Sequence, residues 1–333
     1  MSREQRSRID GILRQPRPEG SEGPEGSGRP RTVEEIRAGF RGLMARMIVP
    51  HSRIRTADTT LGGRPALRVE PVTGPDAGAQ DGPGVGTILY FHGGGWVFGS
   101  PETALSLTGN LVARTGLGAY SPDYRLAPEH PFPAAIEDTL SAYRDLLDRG
   151  EEPSAIVFAG DSAGGGLAVT TCLAARDAGL PLPAAVLAFS PGVDATRSGE
   201  SMRTKEGVDP VFTRAALEHT GAMYLAGADP RQPLLSPALH ADLTGFPPML
   251  VQVGANEMLL DDSVRLAARA RAAGVDVILD VTADVPHVFQ AFAGVLDEAD
   301  EALDRAALFL RQRIRAGNAA RASVAQARPA DRP

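Results

Sequence analysis

Six short apolar runs recur through the chain: Thr87–Phe91, Gly118–Tyr120, Ala155–Ala159, Ala184–Phe189, Met249–Val253 and Val275–Val281. Stretches of helical period lie between them, near Ala104–Thr115, Ala134–Arg149, Gly164–Ala178 and Ser263–Ala273, and a last one covers roughly Glu298–Arg315. A strand that is apolar along its whole length must be covered on both faces. A helix between two strands returns the chain so that they run parallel. The alternation therefore predicts an α/β fold: a mainly parallel, twisted sheet of about eight strands with helices on both sides. Runs at Ile54–Thr59 and Ala66–Glu70 are expected to add antiparallel edge strands. The segment Asp194–Pro247 breaks the alternation and is the natural place for an insertion or cap.

The chain has 333 residues, of which 43% are hydrophobic, enough for one large domain with an elaboration. A net charge of −7 gives no dense basic surface, which argues against a nucleic-acid partner. Cys172 is the only cysteine, so an intrachain disulfide and a cysteine-built metal site are both excluded. Met1–Pro18 has no apolar run that would serve as a signal peptide, and no run approaches the ~18 residues that span a bilayer. No stable membrane insertion is expected, and a cytoplasmic location is the default. Arg17–Arg31 is rich in Gly, Pro, Ser and Glu, so residues 1–31 are expected to form a disordered arm, and 317–333 a disordered tail. The folded domain is then 32–316. At its start Thr32 and Glu35 have capping-box spacing, and Val33, Ile36, Phe40, Leu43, Met44 and Met47 make one apolar helix face. That face fits either a core-facing helix or part of a lid. The last helix or an edge strand leaves a homodimer open.

Gly160-Asp161-Ser162-Ala163-Gly164 is the one G-x-S-x-G match. The pattern alone is weak. Its context is specific: it follows the run Ala155–Ala159 directly and opens a helical stretch. A serine on so sharp a strand-to-helix turn has a strained backbone and projects its hydroxyl above the sheet, and the helix N-terminus behind it favours negative charge. The bland alternative is a tight glycine turn with an incidental serine.

His92-Gly93-Gly94-Gly95 follows the run Thr87–Phe91. Three consecutive glycines cost backbone entropy, which a loop tolerates when its backbone must approach something closely. Acyl transfer needs N–H donors aimed at a developing oxyanion. The amides of Gly93, Gly94 and Ala163 are the expected donors. A phosphate-binding loop is the alternative, but neither G-x-G-x-x-G nor G-x-x-x-x-G-K-[ST] occurs. His92 reads as a scaffold residue.

In such a fold the nucleophile, acid and base follow in that order along the chain. His287 comes after the last strand run and no histidine lies beyond it, so it is the expected base. The acid should follow Met249–Val253, where Glu257, Asp261 and Asp262 all lie; Asp284, beside His287, is a fourth option. Composition does not choose among them.

Together, His92–Gly95, the run Asp123-Tyr124-Arg125-Leu126-Ala127-Pro128-Glu129, Gly160–Gly165, Glu257–Asp262 and His287-Val288-Phe289 resemble the hormone-sensitive lipase family of α/β-hydrolases. The likeness covers about Val49 to Arg315. In that family the acid is commonly Asp followed by Pro. Here Glu257 holds the place and Met258 replaces the proline. Glutamate serves in some members, so the resemblance carries the acid's role to Glu257. It also implies a cap from 32–50 and 194–247 over an acyl pocket, and a structural role for Asp161.

The expected chemistry is hydrolysis of a small-molecule ester of short or medium acyl chain through an acyl-enzyme, with no metal or cofactor. Trp96, Phe98, Phe212, Tyr224 and Phe289 are candidate pocket residues, each equally able to be core. The same groups could remove an acetyl group or open a lactone. A non-catalytic receptor on this fold, like the plant gibberellin receptors, would lack the histidine present here at 287.

Overall fold

The computed structural model describes residues 2–14, 32–72 and 86–327. Eight strands form one sheet: β1 (Ile54–Leu61), β2 (Arg64–Pro71), β3 (Thr87–Phe91), β4 (Gly118–Pro122), β5 (Ile156–Asp161), β6 (Ala185–Phe189), β7 (Met249–Gly254) and β8 (Val277–Thr282). Their order across the sheet is β1-β2-β4-β3-β5-β6-β7-β8. β1 and β2 pair antiparallel, as do β2 and β4, and every other pairing is parallel. Every residue of β3, β5, β6 and β7 is buried, which is why these strands read as unbroken apolar runs. β1, at one edge, is exposed over most of its length.

Ten helices complete the described residues: α1 (Arg3–Arg14), α2 (Val33–Met44), α3 (Leu105–Thr115), α4 (Ala134–Asp148), α5 (Ala163–Asp177), α6 (Ser201–Thr204), α7 (Arg214–Leu225), α8 (Pro237–His240), α9 (Leu260–Ala272) and α10 (Asp297–Ala327). The sheet separates two cores. Val157 and Ala159 of β5 join Leu111 of α3 and Leu303 and Leu310 of α10. Ile156 and Phe158, facing the other way, join Leu146 of α4, Leu167 of α5 and Leu266 of α9. This period of two fixes β5 between both layers and so fixes the direction of the turn that follows it.

Two terminal expectations need correction. Residues 3–14 form a helix: Ile9 is buried, and Ile12 and Leu13 pack on the same core as Met47, Leu43 and Met44. An i, i+3, i+4 apolar stripe offsets an otherwise polar composition. At the other end α10 runs on to Ala327, past the expected stop. The remaining residues of the expected arm (15–31) and tail (328–333) lie outside the described residues. The capping box is formed, with Glu35 N–H on Thr32 Oγ1 at 3.3 Å and Thr32 N–H on Glu35 Oε2 at 2.7 Å.

Strand order reverses at β3, which has β4 on one side and β5 on the other. Loops leaving the carboxyl ends of two such strands diverge and open a crevice between them. The loop after β3 is His92–Gly95 and the turn after β5 holds Ser162.

Candidate active site

Ser162 joins β5 to α5 with φ 53° and ψ −118°, a backbone conformation that L-residues rarely adopt. Its neighbours must be glycine. A Cβ on Gly164 would lie 1.9 Å from the Phe91 carbonyl oxygen, and one on Gly160 would lie 2.3 Å from that of Gly164. The turn is anchored by Ser162 N–H on Phe189 O at 2.8 Å, while Ser162 O accepts from Gly166 and Gly192 N–H, both at 3.0 Å. These contacts hold the hydroxyl above the sheet.

Ser162 Oγ lies 2.9 Å from His287 Nε2, and His287 Nδ1 lies 2.5 Å from Glu257 Oε2. The three residues are 9%, 6% and 0% exposed for serine, histidine and glutamate, so water competes little for these bonds. With a carboxylate at Nδ1, that nitrogen carries the proton and Nε2 is left to accept from the serine hydroxyl. Glu257 is itself fixed: its Oε1 accepts from Gly254 N–H at 2.6 Å and from Ser190 Oγ at 2.9 Å. Ser190 Oγ in turn accepts from Val288 N–H at 3.1 Å, so one hydroxyl ties the acid to the loop of the base. Burial works against a charged imidazole at His287. The Glu257 carboxylate, through its charge and its hydrogen bond, with Asp209 and Asp161 adding to it, holds the pKa above the ordinary value. Such an arrangement can take a proton from Ser162 at Nε2 and stabilise the resulting imidazolium.

The other acids near these loops serve elsewhere. Asp262 accepts from Val193 and Asp194 N–H at 2.9 Å, and burial pushes its carboxyl up to about 7. Asp261 bonds Ser201 N–H at 2.9 Å. Asp284 accepts from Asn256 Nδ2 at 3.2 Å and pairs with Arg6 of α1.

The glycine loop departs from expectation at its first position. Gly93 N–H points inward and donates to Asp161 Oδ1 at 3.1 Å, and a Cβ there would lie 2.2 Å from Asp161 Oδ2. Its amide is therefore occupied. Asp161 also accepts from Tyr90 Oη at 2.8 Å, and burial raises its carboxyl to about 6. Gly94 and Gly95 then take φ of 123° and 60°, which turns the backbone over. Among the described residues, the amides of Gly94, Gly95 and Ala163 donate to no protein acceptor. His92 stacks on Tyr124 at 4.1 Å and donates from Nδ1 to Gly93 O at 2.8 Å. Burial lowers its pKa to about 4, so it is a neutral scaffold group.

Trp96 stacks face to face on Tyr224 of α7 at 4.5 Å, and both line a narrow cleft with Thr170, Gly192, Arg197 and Leu235. Phe212 lies 4.6 Å from the His287 ring. Phe98 packs on Phe40 of α2 at 4.8 Å. Phe289 corrects the expectation for it: the tight turn Phe289–Phe292 directs its ring, fully buried, into the core beneath the histidine loop. Ser190 and Tyr90 were not singled out from the sequence; a lone hydroxyl in a strand or at its end leaves no pattern. Among the described residues, no three His, Cys, Asp or Glu side chains come together to hold a metal ion. No described helix is long and apolar enough to cross a membrane.

Comparison with known proteins agrees with this fold. A family model described as alpha/beta hydrolase fold matches residues 88–291. An acetyl-hydrolase of Streptomyces hygroscopicus is 44% identical over 225 residues, covering 68% of this chain and 75% of that protein. Carboxylesterase NlhH of Mycobacterium tuberculosis is 33% identical over 292 residues, covering 80% of this chain and 90% of that protein. The crystal structure of an esterase from the bacterial hormone-sensitive lipase family superposes with a TM-score of 0.83 at 40% identity, covering 94% of this chain and 99% of that one. With the matched model spanning more than half its length, the chain belongs to the hormone-sensitive lipase family of α/β-hydrolases.

Proposed function

We propose that this chain hydrolyses small carboxylic esters of short or medium acyl chain, with Ser162 as nucleophile, His287 as base and Glu257 as the acid that orients it. Esterases and a carboxylesterase among its relatives support the reaction class, and the chain is a carboxylic ester hydrolase. The continuous chain of contacts from Ser162 Oγ through both ring nitrogens of His287 to Glu257 is the observation that carries the roles.

As Ser162 Oγ attacks the ester carbonyl carbon, its proton passes to His287 Nε2. The carbonyl oxygen gains charge and is met by the free amides of Gly94, Gly95 and Ala163, the last at the N-terminus of α5. The imidazolium returns its proton to the alcohol oxygen, the C–O bond breaks, and an acyl-Ser162 ester remains. Water, deprotonated by the same nitrogen, attacks that ester; the imidazolium then returns the proton to Ser162 Oγ as the C–Oγ bond breaks, and the acid is freed. Helix α2 and the part of 194–247 that carries Phe212 cover the site, with Arg37 donating to Val97 O at 2.9 Å and Phe212 against His287. The later part, through Leu235, Ala238, Leu243 and Phe246, joins the core beside α5 and α9 and is not cap. Removal of acetyl groups is a second reading, favoured by the likeness to an acetyl-hydrolase.

A panel of p-nitrophenyl acetate, butyrate and octanoate with an acetylated amine tests the substrate class. Release from acetate and butyrate is expected, and no release from any ester would contradict the proposal. The pH profile tests the base. His287 must be neutral to act, and its pKa is held above the ordinary value, so kcat/KM is expected to fall on acidification through an inflection above about 6.5. A profile flat from pH 5 to 8 would exclude His287 as the base.

A further inference from the structure

The cap segment is bonded to the loop that carries the acid, at one buried carboxylate. Asp209, in the connection between α6 and α7, is 6% exposed. Its Oδ1 accepts from Val211 N–H at 2.8 Å and from Phe212 N–H at 3.1 Å. Its Oδ2 accepts from Met258 N–H at 2.9 Å, and Met258 is the residue next to Glu257. The same carboxylate thus holds the backbone of Phe212, whose ring lies on His287, and the backbone beside the acid. Ser201 adds a second tie, donating from Oγ to Met258 O at 2.7 Å. A small apolar cluster fills the space between, with Met202, Leu217 and Phe212 from the cap side and Met258 and Leu259 from the acid side.

We infer that Asp209 is a positioning residue for the hydrolysis proposed above: through Met258 N–H it sets where Glu257 stands, and through Phe212 it sets the wall against His287. A proline at 258 would have no N–H and could not make this bond. The methionine there supplies the donor that Asp209 holds. Glutamate has one more methylene than aspartate, hence one more torsion to fix. A clasp on its neighbouring peptide, beside the Gly254 and Ser190 bonds to its own oxygen, limits where its backbone can go. Of the acids whose charge favours the protonated His287 (Glu257, Asp209 and Asp161), only Asp209 comes from the cap segment.

The experiment is a pH–rate comparison of wild type, Asp209→Asn, Met258→Pro and the double variant on p-nitrophenyl butyrate, with melting curves to establish folding. Asp209→Asn keeps the side-chain shape, removes the charge and leaves one acceptor oxygen for the three N–H donors, so one side of the clasp is lost. Loss of a negative charge that favours the protonated His287 makes its proton easier to lose. The acidic limb of kcat/KM is therefore expected to move to lower pH, by about 0.5 to 1 unit. A merely structural role would lower the rate and leave the limb in place, and an unmoved limb overturns the inference. Met258→Pro removes the donor and is expected to lower kcat about tenfold with KM changed less than about twofold. The double variant is expected to lose less than the product of the two single losses, because both changes weaken the Met258 bond; losses that multiply in full would overturn the link. If Met258→Pro does not fold, the Asp209→Asn limb decides alone. Ser162→Ala run alongside separates the two levels. Activity surviving there defeats the assignment of the site itself, whereas an unmoved limb with Ser162→Ala silent defeats only the role of Asp209.

Discussion

Ser162→Ala is expected to lower kcat on p-nitrophenyl butyrate by about 10⁵-fold or more, with the fold intact. Alanine removes the one oxygen that lies 2.9 Å from His287 Nε2 and leaves the backbone of the turn unchanged. That backbone is held by bonds from main-chain groups, Ser162 N–H to Phe189 O and the two donors on Ser162 O, none of which uses the side chain. The melting temperature should therefore move by no more than about 2–4 °C. A stopped-flow assay on freshly purified variant, checked for residual wild type, measures the loss. Retention of more than about 1% of wild-type kcat would mean that the reaction runs through another group.

Glu257→Gln is the second large effect. Glutamine is isosteric, so the Gly254 and Ser190 bonds can still be made to its carbonyl oxygen. The atom left facing His287 Nδ1 is then an amide NH₂, a donor against a donor. The imidazole must turn or shift its proton to Nε2, and Nε2 can no longer accept from Ser162. A loss of about 10³ to 10⁴ in kcat is expected, equivalent to about 4–5.5 kcal/mol of transition-state stabilisation. KM should change little, because Glu257 is fully buried and touches the base, not the substrate. Gln at 257 with kcat within tenfold of wild type would show that the acid contributes only packing.

The parts of the site that were legible in the sequence are those whose chemistry depends on local chain geometry. The G-x-S-x-G run could be placed because strand, turn and helix all lie within a few residues of Ser162, and both glycines are required by contacts within that turn or with the adjacent strand. His287 could be placed by order, since the loop after the last strand has a fixed position in this fold. Glu257, Asp261 and Asp262 could not be separated on residue type. What separates them is a set of partners distant in sequence: Ser190 for Glu257, Ser201 for Asp261, and Val193 with Asp194 for Asp262. The Gly93 amide is misplaced by sequence for the same reason. Its direction is set by Asp161, 68 residues away, and nothing in the glycine run shows which peptide faces inward. Residue type leaves Phe289 equally able to be pocket or core, and the turn after the base sends it into the core. Helix α1 had its signal in Ile9, Ile12 and Leu13, which a composition average over the whole arm conceals.

The central claim is that Ser162 Oγ is made nucleophilic by the imidazole beside it and attacks carbon or phosphorus presented at the glycine amides. Intact-protein and peptide mass spectrometry after brief exposure to a fluorophosphonate, at pH 8 and again at pH 5, tests it most directly. The expected result is one adduct, on the peptide carrying Ser162, forming more slowly at pH 5, and missing from the Ser162→Ala protein. An adduct on any other residue, or an unmodified protein at pH 8, would contradict it.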